Sequence, residues 1–528
     1  MEKSIIKAER QYRRLYAMGA CMGKTMKFTE NKRYEKASDD LLVIPYREAE
    51  ELKERLKKLA GGPSPVIWEK ILHVFEGVLK RQKNAGQQTV FLKEEEGSLC
   101  VTFLMLEQGR KSGLESLRDA FCTFGRELSG DCQIVLEGLQ LPGLQEQEIA
   151  EAIVKAMYYG AYSFAAEKIK ELPGKRIYSL RDELKEEKKS CMVTIINSTP
   201  LGKSLAKAAD YGQCINYARM LGDMPANYLR AKEFSGYLED LARDYGLECE
   251  ILGGQELSAL HSGGILGVNG GSTEEARLIT LYYEGLKGAP VTALVGKGVM
   301  FDSGGYHLKS LSSMDGMKYD MCGAANMAAA FEIAVRQKSK KNLLLIIPAV
   351  ENLIGPSALR MGDVITTMSG KTVEVYNTDA EGRLILCDAL TYAKRKGAKT
   401  ILDLATLTNS CRKALGDEIS GIYSNEEAIC RAFGETAKIQ GEKVWRLPLD
   451  ECYHRLLYRT QTADLINYAP EGDGAANAAA CFLEEFIEED TAWIHMDIVG
   501  TSVNRSESSM HAKGASGILT ASVAAFLE

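Results

Sequence analysis

The chain has 528 residues, a formal net charge of −7, 45% hydrophobic residues and 26% charged residues. This balance is ordinary for soluble globular proteins and disfavours disorder as the main state. No apolar stretch approaches the roughly 18 residues that a membrane span needs, and the acidic balance disfavours nucleic acid as a major partner.

The cysteines and the first residues predict a cytoplasmic protein without membrane association. The first twenty residues are charged throughout and lack the apolar segment of a secretion signal. The thirteen cysteines are odd in number, scattered, and contain no Cys-x-x-Cys pair, which disfavours a disulfide framework. None of the six histidines forms a His-x-x-x-His pair, so histidines are not the obvious ligands of a metal.

Residues 1–190 alternate between predicted strands and amphipathic helices. Examples are a strand over 89–106 and a helix over 148–165. A charge-dense stretch at 181–190 is typical of a solvated helix and precedes a predicted strand over 191–197. We predict an N-terminal accessory α/β domain over 1–190.

Residues 200–528 begin with a predicted helix over 204–223 and continue as short buried strands that alternate with helices. Continuous apolar strands between amphipathic helices indicate a mostly parallel sheet with both faces covered. The predicted fold class is therefore α/β, with two domains, each a mixed or mostly parallel sheet flanked by helices. The predicted elements are strands over 278–285, 291–298, 342–352, 400–406 and 492–500, and helices over 232–246, 324–338 and 384–397.

Two segments of the second half concentrate charged residues beside glycines. The first, 295–323, follows a predicted strand, and ligands of such sheets bind beyond the carboxyl ends of the strands. The second, 375–390, places Asp379, Glu381 and Arg383 at alternate positions. In an extended segment this spacing points the three side chains to one face.

Carboxylates that converge must be neutralised by protons, cationic side chains or metal ions. Asp302 and Asp320 of the first segment would join Asp379 and Glu381 in such a cluster, and two bridged metal ions suit hydrolysis. Taken one at a time, each carboxylate is more typical of a capping or surface residue. Neither segment has the spacing of a phosphate loop or a dinucleotide site.

The octapeptide NTDAEGRL (377–384) resembles the signature of the leucyl aminopeptidase (M17, cytosol aminopeptidase) family. The first segment resembles the other motif of that family, with its lysines and aspartates at matching intervals: Lys297, Asp302, Lys309 and Asp320. The likeness extends across about 200–528 and is much weaker before residue 190. The resemblance implies that 200–528 is a catalytic dimetal aminopeptidase domain.

The implied activity is metal-dependent release of the N-terminal amino acid from peptides, through a water that bridges two metal ions. The metals implied are Mn²⁺ or Zn²⁺, with Mg²⁺ a further option. Lys309 would stabilise the oxyanion, and Arg383 would hold a bicarbonate that serves as general base. The implied metal ligands are Lys297, Asp302, Asp320, Asp379 and Glu381. The implied substrate-binding residues are Met317, Asn377, Thr406 and Leu407.

The resemblance also implies a homohexamer that acts on short peptides with a free N-terminus. Several simpler roles stay open: an ion pair for Lys297 or for Arg383, a core position for Met317, and a buried helix start for Cys322. An alternative is a non-catalytic scaffold or regulatory binder of the same fold, and a further one is a dimetal hydrolase for another bond such as a phosphoester. All seven implied metal and catalytic positions are present, which argues against a scaffold.

Three positions depart from the family pattern. His307 stands where a small hydroxyl residue is common, and it either touches the site or faces a subunit interface. Asn409 replaces a glycine, and Val499 replaces a smaller residue. Asn409 and Val499 would fill or polarise the pocket for the first residue of the substrate, so the resemblance does not establish a preference for leucine.

Overall fold

The computed structural model describes residues 26–32, 34, 41–61, 65–81, 87–94, 97–106, 112–164, 177–181, 191–469, 474–505 and 513–528. These residues belong to two compact units. The first takes its described residues from Met1–Ile169 and Asp182–Gln213, and the second from Lys170–Arg181, Cys214–Arg505 and Lys513–Glu528. Within this described part, no helix combines the length and hydrophobicity that a membrane crossing requires.

The first unit contains a six-stranded sheet with the order β1-β6-β5-β2-β4-β3. Its neighbours are parallel except for β3 and β4. The strands are β1 Met26–Asn31, β2 Leu41–Tyr46, β3 Gln87–Glu94, β4 Gly97–Met105, β5 Cys132–Val135 and β6 Cys191–Ile196. The helices are α1 Ala49–Ala60, α2 Pro65–Arg81, α3 Gly113–Glu127 and α4 Glu146–Ala161, and α5 Gly202–Asp223 continues into the second unit.

The prediction of one strand over 89–106 is wrong. The structure forms two antiparallel strands there, β3 and β4, in which Val90 pairs with Val101. A strand of 18 residues would exceed the usual range of about 3–10, and each of the two apolar runs has the length of an ordinary strand. The predicted strand over 191–197 is confirmed as β6, and the helix over 148–165 is confirmed as α4. Apart from Arg181, the charge-dense stretch 181–190 lies outside the described residues.

Helices cover both faces of this first sheet, as strand β2 shows. Its residues alternate between two cores: Leu41 and Val43 pack in a cluster with residues of α3 and α4, whereas Leu42 and Ile44 pack with residues of α1 and α2. Successive side chains of a strand point to opposite faces, so a strand that is apolar throughout is buried on both sides.

The second unit is built on a nine-stranded sheet with the order β16-β15-β18-β14-β9-β11-β8-β7, to which β10 is added beside β11. A three-stranded and a two-stranded sheet lie outside it. The strands are β7 Glu248–Leu252, β8 Arg277–Tyr283, β9 Val291–Gly296, β10 Gly298–Asp302, β11 Asn342–Asn352, β12 Val364–Thr366, β13 Thr372–Glu374, β14 Ala398–Ala405, β15 Ser420–Ser424, β16 Val444–Arg446, β17 Leu465–Ile466, β18 Ala492–Asp497, β19 Val503–Asn504 and β20 Gly514–Ala515.

All the predicted strands and helices of this unit are confirmed to within a few residues at each end. The helices are α6 Ala231–Tyr245, α7 Gly254–Ala259, α8 Gly263–Val268, α9 Leu311–Met314, α10 Cys322–Arg336, α11 Glu381–Arg395, α12 Asn409–Leu415, α13 Glu427–Gln440, α14 Glu451–Leu457, α15 Ala475–Glu484 and α16 Thr520–Phe526. Short 3₁₀ turns occupy Ile177–Ser179, Asn269–Gly271 and Met317–Tyr319. The fold class is α/β, as predicted.

The four central strands β18, β14, β9 and β11 run parallel to one another. Their carboxyl ends therefore meet at the same edge of the sheet. Lys297 directly follows β9, and Thr406 and Leu407 directly follow β14. Asp302 ends β10, which is parallel to β11. Several implied site residues are thus brought together by strand ends alone.

The close approach of α3 and α4 generates a stability prediction for the first unit. A Cβ atom at Gly160 would lie 1.8 Å from the carbonyl oxygen of Cys122. We expect Gly160→Ala to lower the free energy of unfolding by about 1–3 kcal/mol because the helices must separate. Gly77→Ala is the matched control, since its Cβ meets no atom within 4 Å and alanine favours a helix. Unfolding midpoints that do not separate the two variants would contradict this account.

Candidate functional site

Turns and helix starts bring the second charged segment to the carboxyl edge of the sheet. The expectation that Asp379, Glu381 and Arg383 share one face of an extended segment is wrong in its geometry. Asp379 lies in a turn, and Glu381 is the first residue of α11. The side chains nevertheless converge, because the turn and the first helical residues face the ends of β9 and β10.

Lys297 is the buried centre of one half of the cluster. Its Nζ atom lies 2.8 Å from Asp320 Oδ1 and 2.8 Å from Glu381 Oε1, and it donates to the carbonyl oxygen of Thr406 at 2.8 Å. Thr406 Oγ1 also donates to Asp320 Oδ1 at 2.8 Å. The simpler role of Lys297, an ion pair, is therefore the arrangement in this structure.

Lys309 occupies the other half of the cluster. Its Nζ atom lies 2.8 Å from Asp302 Oδ2 and also pairs with Asp379. The remaining oxygen of Asp302, Oδ1, accepts hydrogen bonds from the Gly304 backbone N–H and from Asn352 Nδ2, both at 2.8 Å. Asp302 is thus held from the strand end, the following turn and the neighbouring strand β11.

Burial and the neighbouring charges shift the pKa values of these lysines and carboxylates. Burial lowers the pKa of Lys297 and of Lys309, but the surrounding carboxylates outweigh it and raise both above the usual value. Burial raises the pKa of Asp302 and of Asp379, the latter to about 7. Burial also raises the pKa of Glu381, but Lys297 and Lys309 outweigh this effect and lower it to about 2.

The donor set fits divalent cations. One oxygen each from Asp302, Asp379 and Glu381 lies within 4.8 Å of the others. Asp320 Oδ2 and Glu381 Oε2 are buried and have no hydrogen-bond partner. Buried polar atoms are normally paired, and carboxylate oxygens with unused lone pairs suit hard and borderline divalent metals.

Arg383 is buried at the start of α11 and contacts residues that are distant in the sequence. Its Nη1 donates to the carbonyl oxygen of Asn467 at 2.9 Å, and its guanidinium carbon lies 5.8 Å from the centre of the Tyr468 ring. The Nε atom is buried without a partner. Burial lowers the pKa of Arg383 to about 10. Among the described residues, no ion pair joins Arg383 to Asp379 or Glu381, so that simpler role is absent.

A cavity of about 930 Å³ opens over the cluster. It is lined by the implied metal ligands and catalytic cations, and it also contains both Asn409 and Val499. Met317 is partly exposed and lines this cavity instead of packing in the core. The implied substrate-binding residues all line the cavity: Met317, Asn377, Thr406 and Leu407.

Two other residues from the motifs, His307 and Cys322, do not line this cavity. His307 is exposed, and its backbone N–H donates to Thr378 Oγ1 at 2.8 Å. Cys322 is buried and begins α10, so the interpretation of Cys322 as a small residue at a helix start is confirmed.

Sequence reasoning missed three buried residues that hold the site. Asn352 fixes Asp302, Asn467 fixes Arg383, and Asp497 accepts hydrogen bonds from the backbone of Leu407 and Thr408 at 3.2 and 3.0 Å. Asp497 is the last residue of β18, two residues before Val499. Its position at the end of a parallel strand could have identified it from the sequence. Asn352 ends β11 in the same way. Asn467 follows a two-residue strand and carries no such signal.

The sequence of this chain is similar to those of known proteins. A sequence model described as "Cytosol aminopeptidase family, catalytic domain" matches residues 216–524. A relative from Bacillus subtilis (strain 168), named probable cytosol aminopeptidase, is 43% identical over 319 residues, which cover 60% of this chain and 63% of the relative. The match to this relative thus spans less than two thirds of its length.

A longer match links the chain to a relative of the same name from Aromatoleum aromaticum. The two are 36% identical over 444 residues, which cover 82% of this chain and 85% of the relative. A solved structure titled "Bottromycin maturation enzyme BotP" has a TM-score of 0.76 and 25% identity, and covers 93% of this chain and 99% of that chain. A second structure of BotP, with the same values, is titled as a complex with Mn.

The hydrogen bonds of Asp497 generate a prediction about the cavity wall. Its Oδ2 accepts from the backbone N–H and from Oγ1 of Thr408, and its Oδ1 accepts from the N–H of Leu407 and of Val499. Asp497→Asn turns one of the two acceptor oxygens into a donor, so the backbone N–H groups that bond to that oxygen lose their acceptor. We expect a loss of about 1–3 kcal/mol or more in the free energy of unfolding.

Chemical denaturation measures this loss. The control is Asp417→Asn, since Asp417 is half exposed and pairs with Arg412, and exposed ion pairs contribute about 0–1 kcal/mol. Equal stability of the two variants would show that Asp497 does not hold the segment that follows β14.

Proposed function

The chain belongs to the cytosol aminopeptidase family, and from this premise we propose that it is a metal-dependent aminopeptidase that releases the N-terminal residue of short peptides. The family makes it a peptidase and hence a hydrolase. The observation that carries the finer proposal is the buried cluster of carboxylates with unpaired oxygens at the floor of a cavity.

Five side chains would hold two divalent ions in this proposal: Lys297, Asp302, Asp320, Asp379 and Glu381. Ions bound there would supply a Lewis acid for the scissile carbonyl and would lower the pKa of the attacking water. Lys297 must give up its proton to serve as a ligand, since only the neutral amine has a lone pair. Carboxylates suit Mn²⁺ and an amine suits Zn²⁺, and the Mn complex of BotP supports the former choice.

Lys309 supplies a fixed positive charge next to the substrate. Its side chain is 9% exposed, and it lines the cavity. Two carboxylates hold the ammonium in place, so it is already oriented before the substrate binds. An ammonium aimed at a carbonyl oxygen stabilises the negative charge that develops during attack, which is usually a large part of catalysis.

Arg383 presents a site for a bicarbonate ion that acts as general base. Its guanidinium lines the cavity and has an Nε atom without a protein partner. A planar fork of N–H donors suits the flat oxyanion of bicarbonate. Bicarbonate held there would accept a proton from the attacking water.

Recognition of the free α-amine would restrict cleavage to the first residue. Asp320 has an unpaired oxygen, Oδ2, that can accept from the amine, and such positioning contributes much of the rate. The residues that line the cavity for the first side chain would include Met317 and Thr406. Asn409 and Val499 also line the cavity and would shape its preference. The substrate contacts would extend to Asn377 and Leu407.

The wider organisation is also proposed. Residues 1–190 would form the accessory domain and 200–528 the catalytic domain. A homohexamer is proposed from the family resemblance, and the exposed apolar side chains of Tyr306 and Leu308, 52% and 56% exposed, are available for contacts between copies. A cytoplasmic location is supported by the names of the relatives, which are called probable cytosol aminopeptidases.

The activity itself is tested with matched peptides. The protein is stripped of metal, reloaded with Mn²⁺ or Zn²⁺ in the presence of bicarbonate, and offered unblocked peptides and their N-acetylated twins. We expect metal-dependent release of the first residue from the unblocked set alone, because Asp320 and the metals need a free amine. Chromatographic product analysis measures the release. Metal-loaded protein that releases nothing would favour a scaffold, and cleavage of the acetylated twins would exclude an aminopeptidase.

Two variants test the roles of the cations. We expect Lys309→Gln to lower kcat by about 10²–10³-fold, as removal of an oxyanion donor does, while the bound metal remains. Arg383→Lys keeps the charge but loses the fork, so activity should fall and its bicarbonate dependence should weaken. Lys399→Gln is the control, since Lys399 pairs with Asp490 at the surface. Full activity of Lys309→Gln with both metals bound would remove Lys309 from the mechanism.

A further inference from the structure

A second group of metal-ligating side chains lies between α14 and α15, in residues that the proposed catalysis does not use. His454, Cys481 and Glu484 each offer one ligand atom, and these three atoms lie within 4.8 Å of one another. Cys481 and Glu484 are three residues apart on α15, which places them on one face of that helix. His454 comes from the neighbouring helix α14.

We propose that His454, Cys481 and Glu484 bind one Zn²⁺ ion that joins α14 to α15. A thiolate, an imidazole and a carboxylate are the donors that this borderline metal takes in proteins. The catalytic cluster differs in kind, since its implied ligands are four carboxylates and an amine. The two sites are therefore distinguishable by the presence of sulfur.

The surroundings of His454 match those of a metal-bound histidine. Its Nε2 lies 2.9 Å from Glu484 Oε2, and its Nδ1 lies 3.0 Å from Glu485 Oε1. Metal-ligating histidines characteristically donate their second N–H to a carboxylate, which fixes the ring. Glu485 is itself held, by the hydroxyl of Tyr458 at 2.5 Å and by Lys371 Nζ at 3.0 Å. Nε2 therefore faces the proposed metal position. Nδ1 faces Glu485, the carboxylate that would hold the ring in place.

Cys481 distinguishes this group from an ordinary histidine–glutamate ion pair. Its side chain is buried, and its sulfur makes a weak contact of 3.9 Å with the carbonyl oxygen of Asp450. An ion pair would account for the imidazole and the glutamates, and the thiol adds a soft donor atom within 4.8 Å of both other ligand atoms. On binding, the S–H bond breaks, the sulfur keeps the electron pair and coordinates the ion, and the proton passes to solvent.

Solvent reaches two of the three side chains, since that of His454 is 17% and that of Glu484 is 25% exposed. Glu484 lines a cavity of about 530 Å³ together with Arg446 and Leu449. A water from solvent would be the fourth ligand and would complete the tetrahedral geometry of zinc.

The consequence of binding is local stabilisation near the proposed active site. The chain between α14 and α15 includes Asn467 and Tyr468, which contact Arg383. A metal that ties the two helices together restricts the chain that joins them, and binding to the folded state alone adds stability. We therefore expect Zn²⁺ to raise the unfolding midpoint of the full chain beyond the effect of filling the catalytic site.

Cobalt substitution of the full-length protein tests the proposal without measuring activity. Co²⁺ bound to a thiolate gives a near-ultraviolet charge-transfer band, and the oxygen and nitrogen ligands of the catalytic cluster give none. We expect one such band per chain, displaced by Zn²⁺. It should be lost in Cys481→Ser and kept in Cys452→Ser, a control at an exposed cysteine on α14.

The second readout is the affinity for Zn²⁺ in competition with a chelator. Loss of a direct ligand in His454→Gln should weaken this site by at least about 10-fold, the lower limit seen for loss of a mere supporting group. His454→Gln also decides the matter if circular dichroism shows that Cys481→Ser is unfolded. Absence of the band in the wild-type chain, a band that survives in Cys481→Ser, or an unchanged affinity for Zn²⁺ in His454→Gln would overturn the proposal.

Discussion

The constraint on which the site depends is the burial of like charges. Four carboxylates, those of Asp302, Asp320, Asp379 and Glu381, lie at one edge of the sheet, and two ammonium groups, those of Lys297 and Lys309, lie among them. With every group ionised the cluster carries an excess of two negative charges. Burial raises the pKa of the three aspartates, which means that their ionised forms are unfavourable in this buried place. Additional cations would offset the excess charge.

This crowding also explains why the octapeptide needs a glycine. A Cβ at Gly382 would lie 2.7 Å from Cε and 2.8 Å from Nζ of Lys297. A Cβ at Gly323 would lie 2.2 Å from the carbonyl oxygen of Leu404. Because Gly382 has no side chain, Lys297 can pass over the start of α11 and reach Glu381. The second glycine lets α10 pack directly against the end of β14, so each motif contributes to packing as well as to the charged cluster.

The features that could be predicted from the sequence are those that depend on the pattern of neighbouring residues. Apolar runs located the central strands, and their parallel order located the edge where Lys297 and Asp302 lie. Periodicity did not separate β3 from β4, because two adjacent apolar runs resemble one long strand. Alternate spacing also gave the wrong geometry for Asp379 and Glu381, since a turn followed by a helix brings side chains together as well as an extended segment does. The assignment of roles to those residues rests on family resemblance and not on spacing.

Contacts over long sequence separations were beyond such reasoning, and Asn467 shows why they matter. Its Nδ2 donates to the carbonyl oxygen of Asn377 at 2.7 Å, and its Oδ1 accepts from the N–H of Tyr376 at 2.8 Å. Its own carbonyl oxygen accepts from Arg383. One buried residue therefore fixes both the octapeptide and the guanidinium that it carries, about 90 residues away in sequence. The orientation of Arg383 toward the cavity thus depends on the chain between α14 and α15, so any ligand that restrains this chain would act on the proposed base site from outside the catalytic cluster.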